Sequence, residues 1–313
     1  MMNHMLVALD GSELAERGLA EAAALARRMK KLGAHPRIFL AQALETPLLT
    51  GVVDPVRLRL ELFEATATYL EHLAQPLRDA GQNVEVLARE GPAAPVLLEM
   101  IAEHKIDLVV MATHGRTGIG RWVLGSVAAA VAEQSPVPVL LVPRDHDGQL
   151  FATDGWRILL PLDGSQVAAS TMMPTMQIAR ALGAEVRLLY VLMPAYPEQT
   201  AEHMHATEPD RRRLREAERY LEEQTALLRQ HGIVARWSLA FGSPAQAIVE
   251  RAHRYQSTIV VLPRRPRSGT MPWPQGSVSQ RLLRSGQAAV LFVTPVVTVA
   301  ASAASLAKTD QLP

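Results

Sequence analysis

The stretch Lys105-Ile106-Asp107-Leu108-Val109-Val110-Met111-Ala112-Thr113-His114-Gly115-Arg116-Thr117-Gly118, continued through Leu124 to Gly125-Ser126, decides the fold. Leu108 to Ala112 is a short apolar run of the kind that forms a buried parallel strand. The chain then turns polar and glycine-containing, and Gly125-Ser126 opens an alanine-rich, helix-like run over Val127–Glu133. A second apolar run, Val137–Val142, lies between Pro136 and Pro143. Strand, glycine loop and helix entry together have the make-up of an anion cradle. Glycines let a backbone approach closely, and free N–H groups at a helix start face an anion. The pattern is not the common phosphate loop, because no Lys-Ser or Lys-Thr follows the glycines. Nor is it the dinucleotide fingerprint, whose glycines are more closely spaced. The alternative is a tight strand-to-helix connection whose glycines serve positive φ.

Outward from this stretch, the chain repeats itself. Met5-Leu6-Val7-Ala8-Leu9-Asp10-Gly11-Ser12 returns as Ile158-Leu159-Leu160-Pro161-Leu162-Asp163-Gly164-Ser165. Ala34–Ala41 has its counterpart in Ala184–Val191, and Gly91-Pro92-Ala93 loosely in Gly242-Ser243-Pro244-Ala245. Val110–Ser126 matches Val261–Ser277 without a gap. Two homologous domains are expected, 1–147 and 154–296, joined by a short linker at His146–Gly155 and each folding on its own core. Each reads as an open parallel five-stranded sheet with helices on both faces, an α/β class. The first has strands at Met5–Leu9, Arg37–Ala41, Val84–Ala88, Leu108–Ala112 and Val137–Val142, with helices at Leu14–Leu32, Val56–Ala80, Pro92–His104 and around Ser126. The second has strands at Arg157–Leu160, Glu185–Val191, Ala235–Leu239, Thr258–Leu262 and Ala289–Val293. Its helices fall near 167–182, 211–230, 244–255 and 278–285. Residues 297–313, rich in Ala, Ser and Thr, read as a disordered tail. Ligands of such sheets sit at the carboxyl ends of strands where strand order reverses. Asp10 and the glycine loop both lie at carboxyl ends.

The composition agrees with two ordinary domains. The 313 residues are 48% hydrophobic and 20% charged, with a formal net charge of +1. That balance does not call for nucleic acid, and an aromatic content of 4% weakens any base-stacking surface. No apolar stretch approaches the roughly 20 residues of a membrane span, and the start lacks the marks of a secretory leader. A cytoplasmic protein without a membrane partner is expected. The absence of cysteine excludes thiol catalysis, disulfides and thiolate metal sites. His114 beside Arg116 tempts a phosphoryl-transfer reading, but no paired carboxylates or metal-ligand cluster accompany them. Ser12 and Ser165 read as helix caps rather than nucleophiles.

These residues resemble the universal stress protein family in its tandem two-domain form, over almost the whole chain except the tail. The resemblance implies an adenine nucleotide alpha-hydrolase-like fold. The family's ATP-binding members carry Gly, two residues, Gly, nine residues, then Gly-Ser or Gly-Thr. Here the pattern reads Ala112, Thr113, His114, Gly115, nine residues, Gly125-Ser126, with alanine at the first glycine. Asp10 matches the acidic residue that contacts ribose or adenine, and Ala41 the strand-two position whose backbone lies near adenine. Carried over, Ala112, Gly115, Arg116, Gly118, Gly125 and Ser126 would hold the phosphates. The second copy departs: Pro263 stands at the Ala112 position, Pro266 at Gly115 and Gly269 at Gly118, with Pro272 and Pro274 following. Proline fixes φ, removes a donor and restricts the residue before it. Asp163, Gly276 and Ser277 survive, and Arg264, Arg265 and Arg267 offer charge. The resemblance therefore implies one nucleotide site per chain, in the first domain, taking ATP with Mg2+ or Mn2+. It implies a nucleotide-dependent signalling or regulatory module of the stress response, with no catalytic residue assigned and at most slow ATP hydrolysis. The competing expectation is a structural or protein-interaction module that binds no nucleotide. In the family the fifth strand at the sheet edge pairs domains. Here Pro138–Val142 and Ala289–Val293 are short, apolar and in need of cover, so pairing within the chain is expected. The same surfaces leave room for a homodimer.

Overall fold

The computed structural model describes residues 2–45, 54–113, 124–143, 151, 155–193, 208–264 and 277–294. The first half runs β1 (His4–Ala8), α1 (Glu13–Lys31), β2 (Arg37–Leu44), α2 (Pro55–Asp79), β3 (Asn83–Glu90), α3 (Ala93–Glu103), β4 (Leu108–Ala112), α4 (Ser126–Gln134) and β5 (Val139–Val142). The second runs β6 (Arg157–Leu162), α5 (Gln166–Ala169), α6 (Met172–Leu182), β7 (Glu185–Leu192), α7 (Glu208–Gln230), β8 (Ala235–Phe241), α8 (Pro244–Arg254), β9 (Ile259–Pro263), α9 (Ser277–Ser285) and β10 (Ala289–Val293). Local chemistry sets these bounds. Ser12 caps α1, its Oγ accepting from Ala15 N at 3.2 Å. Glu13 and Glu16 sit in the first turn, and Arg28, Lys30 and Lys31 in the last, matching the helix dipole. The helix expected over 167–182 is divided at Ser170-Thr171. Pro174 has no N–H to give the Ser170 carbonyl, and its ring crowds that oxygen, so it is accommodated in the first turn of a new helix.

The strands form one sheet in the order β3-β2-β1-β4-β5-β10-β9-β6-β7-β8. Pairing is parallel within each half, and β5 meets β10 antiparallel, with Leu140 opposite Leu291. The two separate five-stranded sheets expected from the sequence are thus halves of a single ten-stranded mixed sheet. The expected fifth-strand pairing occurs within the chain. Every residue of β5 and β10 is buried, so each strand covers an apolar edge the other would leave open.

The expectation of separate cores is corrected too. On one face of the sheet a single buried layer holds Met5, Leu25 and Leu140 of the first half with Ile178, Ile259 and Leu291 of the second. On the other face Val131 and Leu141 share a layer with Leu282 and Val290. A continuous sheet presents continuous faces, and the helices pack across the seam. Arg28 Nε donates to Leu182 O at 2.9 Å, and Phe151 N donates to the buried Glu21 at 3.1 Å. Residues 297–313 lie outside the described residues. Because the seam is antiparallel, the carboxyl ends of the two sets of strands lie at opposite edges of the sheet.

Candidate functional site

In the first half the chain moves outward from β1 to β2 and β3, then returns to the other side of β1 as β4. Strand order therefore reverses between β1 and β4, two hydrogen-bonded neighbours, which is where sheets of this kind open a crevice for ligands. Asp10 stands just past β1, and Ala112 ends β4, so the fold brings these two candidates to one crevice.

Asp10 is held by its own turn. Gly11 takes φ +79°, the left-handed region that glycine adopts freely. This lets Asp10 Oδ1 accept from Ser12 N at 3.1 Å and from Ser12 Oγ at 2.6 Å. Ser12 is a cap, as its place in the sequence implies, and its hydroxyl is engaged on both sides. Ala41 is buried and its carbonyl accepts from Leu9 N at 2.8 Å. The neighbouring Gln42 has unmet polar capacity: it is buried, and its Oε1 has no hydrogen-bond partner among the described residues. Sequence reasoning passed over Gln42, although a lone amide in an apolar strand is a legible signal.

Ala112 pairs with Val142 and does not take positive φ, so alanine meets no backbone penalty here. Above it passes α1, closely enough that a Cβ on Gly18 would lie 3.4 Å from Ala112 N. A glycine in mid-helix signals such an approach. Thr113 is buried; its N–H donates to Val142 O at 3.0 Å and its carbonyl accepts from Gly125 N at 2.9 Å. The glycine loop is thus tied together at its two ends. Gly125 has φ −55° and ψ 143°, so at this residue the glycine is not serving positive φ. Helix α4 begins there without a side-chain cap, and Ser126, its first residue, is exposed. Unpaired N–H groups and the positive end of a helix dipole make such a start receptive to an anion. His114, Gly115, Arg116 and Gly118 lie outside the described residues. No group of three or more His, Asp or Glu side chains placed to hold a metal is found among the described residues. No described helix is long and apolar enough to cross a membrane.

The profile of the Universal stress protein family matches residues 1–143 and again 156–294. The chain belongs to the universal stress protein family. A Universal stress protein from Thermus aquaticus is 32% identical over 144 residues, covering 45% of this chain and 99% of that protein. The Bacillus subtilis Universal stress protein YxiE is 29% identical over 147 residues, covering 45% and 99%. Relatives of that size correspond to about half of this chain. The crystal structure of a universal stress protein from Archaeoglobus fulgidus, 20% identical, superposes with a TM-score of 0.66 over 94% of this chain and 97% of that one, which shows a shared fold.

The second universal stress protein repeat keeps the frame and changes its contents. Strand order reverses between β6 and β9, and Asp163 stands just past β6. Gly164 has φ +78°, Asp163 Oδ1 accepts from Ser165 N at 3.0 Å, and Ser165 Oγ accepts from Ala168 N at 3.1 Å, the same turn as at Asp10. Pro161 lies opposite Leu189 as Ala8 lies opposite Ala41, so the sequence match of Ala41 with Val191 is corrected by two residues and Tyr190 takes the place of Gln42. The Tyr190 hydroxyl donates to Asp163 O at 3.2 Å, and its ring meets Tyr220 edge-on at 6.3 Å. Burial, reinforced by the Asp163 carboxylate, pushes both phenols up. β9 ends in Pro263. Arg264 N then donates to Val293 O at 2.7 Å, while its guanidinium turns to the other repeat and donates to Ser135 O. This charge, which the sequence offers to a second anion site, is committed elsewhere. Pro266, Gly269 and Gly276 lie outside the described residues, and Ser277 opens α9.

Proposed function

We propose that the first repeat binds an adenine nucleotide, ATP with Mg2+ or Mn2+, in the crevice between β1 and β4. The chain would act in the cytoplasm as a nucleotide-dependent signalling or regulatory module, with one site per chain. The observation that carries this reading is a strand-order switch point with an oriented carboxylate, Asp10, after β1 and a helix start without a side-chain cap, that of α4, after β4. Asp10 accepts hydrogen bonds from ribose or base, Ala41 underlies the base, and the N–H groups of α4 from Ser126 onward meet the phosphates, Gly125 serving by the close approach that its missing side chain allows. Gly115, Arg116 and Gly118 complete the cradle, and each repeat is then an adenine nucleotide alpha-hydrolase-like unit. The nucleotide's own phosphates supply most of the divalent ion's oxygen ligands. One Asp10 oxygen already accepts two hydrogen bonds. That suits Asp10 to recognition rather than proton transfer, so hydrolysis is slow at most. Calorimetric titration with ATP and with AMP, in magnesium, tests the reading. ATP is expected to bind at one site per chain. A folded sample that binds neither nucleotide overturns it.

A second reading, an interaction module without nucleotide, draws on α2. Val56, Leu60 and Phe63 follow helical spacing and are 65%, 59% and 43% exposed. It predicts that the purified chain releases no adenine absorbance on denaturation.

A further inference from the structure

We infer that Arg264 of the second repeat is a positioning residue for the nucleotide site of the first, acting through α4. The inference rests on the nucleotide reading above. Helix α4 joins the two edges of the sheet. Its start, at Gly125-Ser126, opens beside the end of β4. Its nine residues reach about 13 Å. That brings its other end to the edge where β9 finishes, because the two repeats run antiparallel.

At that far end the chain has built a clasp. The guanidinium of Arg264 donates to the carbonyl of Ser135, the C-cap of α4. Thr294 Oγ1 reaches the same oxygen at 3.5 Å. Ser135 is fully buried, and its own hydroxyl donates to Val137 O at 2.9 Å. A helix C-terminus leaves carbonyls without intrahelical donors and carries partial negative charge, so a cation is its natural partner. Arg264 is anchored in turn, because its N–H donates to Val293 O at 2.7 Å on β10. Its guanidinium is partly buried, and burial pushes it below the ordinary arginine value while Glu133 of α4 pulls the other way. One residue thereby ties β9, β10 and the end of α4 into one body.

The two repeats differ at this position. The residue matching Arg264 in the first repeat is Thr113, too short to carry a charge across the seam. The second repeat, with prolines where a cradle needs N–H groups, holds the helix whose opposite end is the first repeat's cradle. Such a site works only if the supporting parts keep its donors in place to within about half an ångström.

The test uses the full chain with Arg264→Ala, Arg264→Lys and, as a control, Arg219→Ala in an exposed i,i+4 pair. Three quantities are read: ATP affinity by calorimetry, hydrogen exchange of the amides at 129–131, and thermal unfolding without nucleotide. Ala129 N, which donates to Gly125 O at 2.9 Å, is the first of these helix-bonded amides. Arg264→Ala is expected to weaken ATP about fivefold, the scale of one ordinary hydrogen bond. It is also expected to speed exchange at 129–131. Arg264→Lys, which keeps charge but loses the planar fork, should fall between, and stands in for the alanine variant if that fails to fold. Arg219→Ala should change neither readout. Lowered thermal stability with unchanged affinity and unchanged exchange at 129–131 would make Arg264 merely structural and overturn the inference. A wild type that binds no ATP removes the nucleotide reading. In that event faster exchange at 129–131 in Arg264→Ala still supports the mechanical tie, and unchanged exchange ends it.

Discussion

At the ends of two matched strands, β4 and β9, the same backbone hydrogen bond carries different side chains. Thr113 N donates to Val142 O at 3.0 Å, and Arg264 N donates to Val293 O at 2.7 Å. The Thr113 carbonyl closes the glycine loop on Gly125, whereas the Arg264 guanidinium crosses to Ser135. The turns after β1 and β6 compare in the same way. Asp10 and Asp163 accept from Ser12 and Ser165 in the same geometry. Beside them, however, Gln42 holds an oxygen without a partner among the described residues, where Tyr190 spends its hydroxyl on Asp163 O. Backbone geometry survives duplication because the sheet demands it. Side chains are free to diverge, and the proposal that one repeat receives a ligand while the other braces it rests on that divergence.

The comparison can be attacked first at the seam. Leu140 is 1% exposed and lies opposite Leu291. Leu140→Asp puts a charge with no partner into that layer, and a stability loss of more than about 4 kcal/mol, or failure to fold, is expected in urea unfolding. Residues 1–147 expressed alone should self-associate in size-exclusion chromatography, since β5 loses its cover; a monomer at high concentration would show the repeats to be independent. Next in size is the acid pair. Asp10→Asn should weaken ATP by roughly tenfold or more, the worth of a hydrogen bond to a charged group. Asp163→Asn should leave affinity unchanged. Equal losses at both would abolish the asymmetry.

The smallest effects concern the phenols. Tyr190→Phe removes the bond to Asp163 O and should cost about 1 kcal/mol in chemical unfolding. Tyr190 and Tyr220 have folded pKa values raised above 10.0 by burial and then by Asp163. A raised folded value means that their contribution is whole below the unfolded pKa and is lost as pH climbs through the folded one. Wild type should therefore lose stability above about pH 10, and the double Tyr190→Phe, Tyr220→Phe variant should lose less over the same range.

Much of this architecture was legible because it rests on short-range pattern. Leu108–Ala112 and Ala289–Val293 are strands with the bounds their apolar runs imply, and the β5–β10 pairing follows from two apolar edges needing cover. The split of 167–182 was readable in principle, since Pro174 forbids the bond to Ser170. The union of both halves in shared layers was not, because alternation tells which face a side chain takes but not what continues that face beyond the edge strand. Arg264 was misleading for a similar reason. Beside Pro263 and Pro266 it reads as local charge for a failed anion site, while its guanidinium reaches a carbonyl 129 positions away in the chain. For the site, the crevice and the Asp10 turn could be placed from the repeat and the strand ends. Gln42 and Gly18 matter through what lies across from them, which only the packed structure supplies.

The antiparallel seam also sets a schedule for synthesis. β5 is complete at Val142, but the strand that covers it begins at Ala289, roughly 150 residues later. At about 5–20 residues per second, the ribosome leaves that edge uncovered for something like 7–30 seconds. During that interval the nascent chain offers neighbouring chains on the same message an apolar strand of the right length to pair with, so polysome crowding is the stage at which this protein is most exposed to intermolecular pairing. At four residues, β5 is short enough to make such a false partner easy to release.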